Sequence, residues 1–316
     1  MGTTRATAAA GLLALCALAC PGSLPGEAVA ATGDPPMCGT RSSPPAVYQH
    51  VVWIFLENHG YGSVIGSGDA PFINRTLAAE CGLATNAHNI THPSLPNYVA
   101  ATSGLPPAAL GRFKSDCNAT HGCVTRAQSI FAQAPSWGAY AESMPKPCTH
   151  WFKSPYAASH NPAVYYTKLP DCRLHDVGYG QLQAALDADT LPAFVFITPN
   201  MCNDMHDCSV GTGDAWLARA VRRLVASPAY QAGTMAIFVT FDEGEDGGSD
   251  QCARNTHDPG CHIPLLVVSP STPPGARSSM LVNHYSLLRT TEEMLGISTY
   301  LGRARVAKSM RAAFNL

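Results

Sequence analysis

An α/β fold, with a mostly parallel central sheet, helices on both faces and a capping insertion, is the architecture this sequence predicts. Three observations lead to it. Four segments, Val51–Leu56, Phe194–Thr198, Met235–Phe241 and Ile263–Ser269, are continuous apolar runs rather than alternating ones. That is the pattern of strands covered on both faces. Helix-like stretches lie between them, at Leu95–Thr102, Thr125–Gln133, Gln181–Asp187, Ala215–Val225 and Tyr285–Leu295, and such alternation belongs to parallel α/β proteins. Finally, 46% hydrophobic against 13% charged residues in a chain of 316 supply a sizeable core and exclude a disordered chain.

Taken from the N-terminus, residues 1–30 read as a signal peptide. Arg5 is a minimal basic start, Ala8–Ala19 is the apolar stretch, and Ala28-Val29-Ala30 is a small-x-small cleavage signal, placing the cut before Ala31. The residues before Cys20 (Ala17-Leu18-Ala19) fit a lipobox poorly, so no lipid anchor is expected there. Residues 31–45 are rich in Pro, Gly and Ser and read as an extended arm. Residues 46–316 read as one domain, with a segment of about 105–176, rich in Pro, Cys, Tyr and His, as the insertion that caps the sheet. No internal repeat is visible, and no apolar run reaches the roughly 18 residues of a transmembrane segment.

Export changes how the cysteines read. Cys16 and Cys20 leave with the leader, and ten remain. An even number in a secreted, extracellular protein points to disulfides. The simplest pairing joins neighbours: 38–81, 117–123, 148–172, 202–208 and 252–261. A structural zinc module is the rival, but no CxxC pair is present.

Lys plus Arg number 20 and Asp plus Glu 22, a net charge of −2, so no basic field marks a nucleic-acid partner. The informative charges lie at the strand ends. Val51–Leu56 runs into Glu57-Asn58-His59, Phe194–Thr198 into Pro199-Asn200 and then Asn203 to Asp207, and Met235–Phe241 into Asp242-Glu243. Ligands of open α/β sheets bind beyond the carboxyl ends of the strands. Glu57, Asp204, Asp242 and Glu243 converging there would repel one another, and a divalent cation resolves the conflict. Oxygen donors suit magnesium, calcium, manganese or zinc. In the acidic run Asp242–Asp250, Glu245, Asp246 and Asp250 read as a solvated loop, whereas Asp242 and Glu243 abut the strand directly.

The segment His92-Pro93-Ser94-Leu95-Pro96-Asn97-Tyr98 is the second anchor. Ser94 reads as a helix N-cap, with Pro96 tolerated in the first turn. A hydroxyl among free N–H groups at the positive end of a helix suits a phosphate or an alkoxide nucleophile. No GxSxG elbow is present, so a metal rather than a histidine base would activate the serine.

Five motifs then stand in one order: Glu57-Asn58, Ser94 to Asn97 (Ser-Leu-Pro-Asn), Asn203 to Cys208, Phe241 to Gly244, and His284 within Asn283 to Ser286. Together they resemble the phosphoesterase branch of the alkaline phosphatase superfamily, which holds secreted acid phosphatases and bacterial phospholipases C. The resemblance spans about Val51 to Leu301. It implies an alkaline-phosphatase-like fold and a metal-dependent acid phosphatase, a phosphoric monoester hydrolase acting through a phosphoserine intermediate. The implied substrate is a phosphorylated small molecule or lipid head group, phosphoinositides such as phosphatidylinositol 3-phosphate included.

Residue by residue, the resemblance implies Ser94 as nucleophile and Asn97 as a donor to a phosphate oxygen. Glu57, Asn58, Asp242 and Glu243 match the metal positions. His206 lines the phosphate site with Asp204 beside it, His160 is a second phosphate-facing histidine, and His284 is a late ligand or phosphate contact. Two-metal members carry a histidine where Glu243 stands, so one strongly bound ion is expected here. Of the other histidines, His92 lies nearest the nucleophile, and Lys153 is the best cation for a further phosphate contact. A phospholipase C-type phosphodiesterase is the alternative activity, and a binding protein that has kept the fold is the non-enzymatic one. Oligomeric state is not legible in the sequence.

Overall fold

The central strands form where β-branched and aromatic residues run without interruption. The computed structural model describes residues 1–2, 36–244, 251–253 and 257–316. The signal-peptide reading, Cys16, Cys20, and Glu245, Asp246 and Asp250 therefore lie outside the described residues, apart from Met1 and Gly2. Residues Pro36–Leu316 form one compact unit. Its strands are β1 (His50–Leu56), β2 (Gly82–His88), β3 (Trp137–Ala141), β4 (Asp176–Gly178), β5 (Phe194–Thr198), β6 (Met235–Phe241), β7 (His262–Val268), β8 (Arg277–Ser278) and β9 (Val282–Asn283).

Among the described residues these make one sheet, in the order β4-β3-β5-β1-β6-β7-β2-β8, with β9 also on β2. Only β7 runs against its neighbours; β4, β3, β5, β1 and β6 are parallel to one another. Val51 stands opposite Phe194 on one side and Ala236 on the other. Every residue of β5 and β6 is buried, which is why these strands read as unbroken apolar runs.

The sheet carries helices of sufficient length to cover it. Trp53 of β1 donates its Nε1–H to Thr291 Oγ1 at 2.9 Å, and Phe55 lies 5.3 Å from the Tyr98 ring and 5.5 Å from His284. One face of β1 is thus covered by the helices Ser94–Ser103 and His284–Met294. Truncating a fully buried aromatic such as Trp53 to Ala costs about 3–5 kcal/mol. The amphipathic helix Val210–Val225 buries Leu217, Val221 and Leu224 in the same core. The helix Ser94–Ser103 stops at Gly104, whose φ of 69° and close approach to the Leu301 carbonyl (2.5 Å from a Cβ placed there) admit only glycine.

Two sequence expectations change here. The segment 105–176 does more than cap the sheet: it supplies β3 and the first residue of β4. Of the helix expected at Thr125–Gln133, only Ile130–Gln133 forms. The stretch from residue 36 is tied down, by the Cys38–Cys81 disulfide and by Arg41 N–H on the Pro270 carbonyl at 2.9 Å. All five neighbour pairings of the cysteines are present as disulfides.

Candidate active site

The site is assembled at the carboxyl ends of β1, β2, β5 and β6. Asn58, just past β1, turns the chain at φ 45° and aims its N–H at Asp242 Oδ1, 3.2 Å away beyond β6. After β2 the chain loops back into the helix Ser94–Ser103. Ser94 is the first helical residue, with Pro93 before it. Ser94 is therefore not the N-cap that its sequence context suggests. The Leu95 N–H is held instead by Asp116 Oδ1 at 2.8 Å, which leaves the Ser94 hydroxyl available. That hydroxyl lies 3.0 Å from Glu57 Oε2 and 3.2 Å from Asn58 Oδ1.

Four carboxylates are buried here: Glu57, Asp204, Asp242 and Glu243. Burial, then the charges of Asp242 and Asp204, push the Glu57 carboxyl well above the usual carboxylate range. Burial also raises Asp242, against the opposing pull of His160 and the Ser94 hydroxyl. Among the described residues, Asp242 Oδ2 is buried without a hydrogen-bond partner. An orphaned carboxylate oxygen beside Glu57, Asn58 and Ser94 is an all-oxygen donor set that fits a hard divalent cation. Glu243 is placed differently: its Oε2 pairs with His92 Nδ1 at 3.0 Å and lies 3.4 Å from Asn97 Nδ2.

The loop after β5 brings the histidines in. Asp204 accepts the His206 N–H at 2.9 Å on Oδ1 and holds His160 Nδ1 at 3.1 Å on Oδ2, while its carbonyl accepts the Glu57 N–H. Asp204 thus braces both histidines rather than facing a ligand. His160 is buried, stacked 5.7 Å from Tyr98, with Nε2 3.5 Å from Glu57 Oε1. His206 is the more open ring, its Nδ1 on Asp207 Oδ1 at 2.8 Å. Ser94, Asn58, His160, His206 and Glu243 line one cavity of about 560 Å³, which Phe152 and Asp116 help to close.

Two expected phosphate contacts sit behind the site. Asn97 is fully buried, its Oδ1 accepting the Ile90 and Thr91 N–H groups and its amide donating to the Thr91 carbonyl, so it shapes the loop that presents Ser94. His284 donates Nε2–H to the Asp242 carbonyl at 2.7 Å. Burial lowers its pKa to about 3, so it stands neutral as a prop for Asp242. Lys153 is exposed and is not part of the cavity wall.

Tyr98 and Asp116 were missed in the sequence. Tyr98 donates its hydroxyl to Glu57 Oε1. The signal for it was present, since Ser94 and Tyr98 are four apart and share a helix face. Asp116 carried none, because only the fold brings it to the helix start. Among the described residues, the two His/Cys clusters, His92 with Cys252 and Cys261 and His150 with Cys148 and Cys172, contain disulfide-bonded sulfurs and not thiolates.

A buried carboxylate cluster at parallel strand ends beside a helix-borne serine forms a candidate hydrolytic site, and solved structures from the alkaline phosphatase superfamily share the fold. An alkaline phosphatase superfamily protein from Vibrio parahaemolyticus matches with a TM-score of 0.54 and 14% identity, over 89% of this chain and 76% of that one. A phosphonate monoester hydrolase from Silicibacter pomeroyi matches with a TM-score of 0.52 and 13% identity, over 84% and 76%. More narrowly, residues 67–298 match the model of the phosphoesterase family, and the chain belongs to that family. It is 31% identical over 269 residues to the phosphatidylinositol-3-phosphatase of Mycobacterium tuberculosis, covering 84% of this chain and 83% of that protein. It is 28% identical over 265 residues to the acid phosphatase of Aspergillus fumigatus, covering 79% of this chain and 55% of that protein.

Proposed function

We propose that this chain is a secreted, divalent-metal-dependent acid phosphatase that hydrolyses phosphate monoesters through a phosphoserine at Ser94. One observation carries the reading: the Ser94 hydroxyl is held by Glu57 and Asn58 beside the unpartnered Oδ2 of Asp242. Family membership and the names of the relatives, a phosphatidylinositol-3-phosphatase and acid phosphatases, support the same chemistry. Five disulfides fit an oxidising compartment, and the apolar leader fits export.

Glu57, Asn58 and Asp242, with Glu243 on the cavity wall, would hold the cation, which would supply charge neutralisation and a lowered pKa for the serine hydroxyl. Glu57 and Asn58 orient Ser94 Oγ toward the cavity. Ser94 Oγ attacks phosphorus in line, its proton passes to solvent, and the bond from phosphorus to the leaving oxygen breaks. His206, anchored through Nδ1 by Asp207, donates the proton that the departing alcohol takes up. His160, fixed by Asp204, faces the phosphate oxygens as a donor. Water then attacks the phosphoserine, with His206 accepting its proton, and inorganic phosphate leaves as Ser94 is restored. The acid phosphatase names of the fungal relatives support activity at acid pH.

Phosphoinositides are the finer substrate proposal, taken from the mycobacterial relative. The test is a panel of nitrophenyl phosphate, nitrophenyl phosphocholine and phosphatidylinositol 3-phosphate, across acid and alkaline pH, with and without chelator. Hydrolysis of the monoesters alone, lost with chelator, is the expected result. Preference for the diester moves the assignment to a phospholipase C-type enzyme. Ser94→Ala should remove activity; a fall of less than about tenfold, equivalent to 1.4 kcal/mol of barrier, sinks the nucleophile assignment.

A further inference from the structure

The loop Lys146–Lys153 reads Lys-Pro-Cys-Thr-His-Trp-Phe-Lys, two lysines bracketing two aromatic residues. Trp151 is 42% exposed and Phe152 52%, and both lysines are exposed. Apolar rings left in water at adjacent positions are unfavourable unless something covers them. Slackness does not explain the exposure, because the backbone beneath is pinned. The Phe152 N–H is held by Asn118 Oδ1 at 2.8 Å, Lys153 and Tyr156 exchange two backbone hydrogen bonds, and Cys148 is joined to Cys172. The rings are therefore presented, not frayed.

Two further features say what they are presented to. Lys146 Nζ sits 4.9 Å over the Trp151 ring, so cationic and aromatic groups share one patch. Phe152 is at once exposed and part of the wall of the Ser94 cavity, so the patch is continuous with the site's mouth. Trp and Phe favour the boundary between headgroups and acyl chains, while lysine stems lie along apolar surface with their charge at anionic headgroups. We propose that this loop docks the protein on an anionic lipid surface, Trp151 and Phe152 entering the interface and Lys146 and Lys153 meeting the lipid anions. Docking would hold headgroup phosphates at the rim of the cavity. Only that last consequence rests on reading the site as a phosphatase; the docking itself does not.

The test is flotation of the mature chain with phosphatidylcholine vesicles, with and without phosphatidylglycerol, beside hydrolysis of soluble nitrophenyl phosphate. Wild type should float with the anionic vesicles and less with the neutral ones. Trp151→Glu should weaken vesicle binding by about tenfold or more. Lys146→Gln with Lys153→Gln should do the same for the anionic vesicles, by about tenfold. Hydrolysis of the soluble ester should stay at the wild-type rate in Trp151→Glu. Failure of wild type to float, or equal flotation of Trp151→Glu, overturns the proposal. So does self-association in sedimentation that Trp151→Glu abolishes without any flotation, which would assign the patch to a second copy. Flotation by a wild type that hydrolyses no phosphate ester would leave the docking standing and remove the phosphatase reading instead.

Discussion

Ser94 and Glu57 meet across the end of the sheet, the serine hydroxyl donating to Oε2 at 3.0 Å, and Tyr98 of the same helix takes the other oxygen, Oε1. One helix face thus grips both oxygens of one buried carboxylate. The spacing of four between Ser94 and Tyr98 makes this a single rigid unit.

Tyr98→Phe tests that unit. Removing the hydroxyl leaves a buried carboxylate oxygen with one donor fewer, which costs about 1–3 kcal/mol of stability. With Glu57 freer to swing from Ser94, kcat for nitrophenyl phosphate should fall by about tenfold, one step of 1.36 kcal/mol in barrier. The divalent-ion concentration needed for half-maximal activity should rise. An unchanged kcat together with an unchanged ion requirement would show that Tyr98 only packs.

Metal removal should act on stability as well as on rate. A divalent ion held at the site would give the buried Glu57 and Asp242 carboxylates a counter-charge that chelation takes away. Chelator should abolish hydrolysis and lower the melting temperature, and restoring the ion at about a hundred times its Kd should return about 2.7 kcal/mol. A melting temperature indifferent to chelator and to every added divalent ion would sink the cation site.

Asp176 gives a pH dependence of known sign. It is fully buried, with Asn161 Nδ2 donating to both of its oxygens at 2.9 and 3.0 Å, and burial lifts its pKa from 3.8 to about 7. The folded chain therefore binds this proton more tightly than the unfolded one. Its contribution to stability is full below pH 4 and is lost as pH rises through about 7. Asp176→Asn cannot ionise, so denaturant melts across this window should show a shallower decline for the variant than for wild type. Parallel curves would refute the assignment.

The Cys202–Cys208 disulfide closes the loop that carries Asp204 and His206. A ring this small contributes only about 2 kcal/mol through chain entropy. Replacing both cysteines by serine should therefore spare the fold while loosening the two histidines, with kcat/KM falling more than the melting temperature suggests. Activity at the wild-type level would show that Asp204 holds them unaided.

Much of this was legible in the chain itself. β5 and β6 begin and end where the apolar runs do, because strands buried on both faces leave no polar position to blur the pattern. Glu57, Asn58, Asp242 and Ser94 stood out because charged and hydroxyl groups directly abut such strands or open a helix. The sequence did not determine the cysteine connectivity, and the simplest neighbour pairing is the one the structure holds, across separations from 6 to 43 residues. What it left open belongs to contacts between distant segments. β2 (Gly-Leu-Ala-Thr-Asn-Ala-His) carries no apolar run and becomes a strand through pairing with β7 on one side and β8 and β9 on the other. Asn97 and His284 have the residue types of phosphate ligands, and only the packed loop turns one toward backbone N–H groups and the other toward the Asp242 carbonyl. Asp116 reaches the start of the serine helix across 21 positions of chain. Sequence settles which groups are available, by composition and period; the fold decides which of them are already spent on one another, because a buried polar atom takes whatever partner packing brings within hydrogen-bond reach.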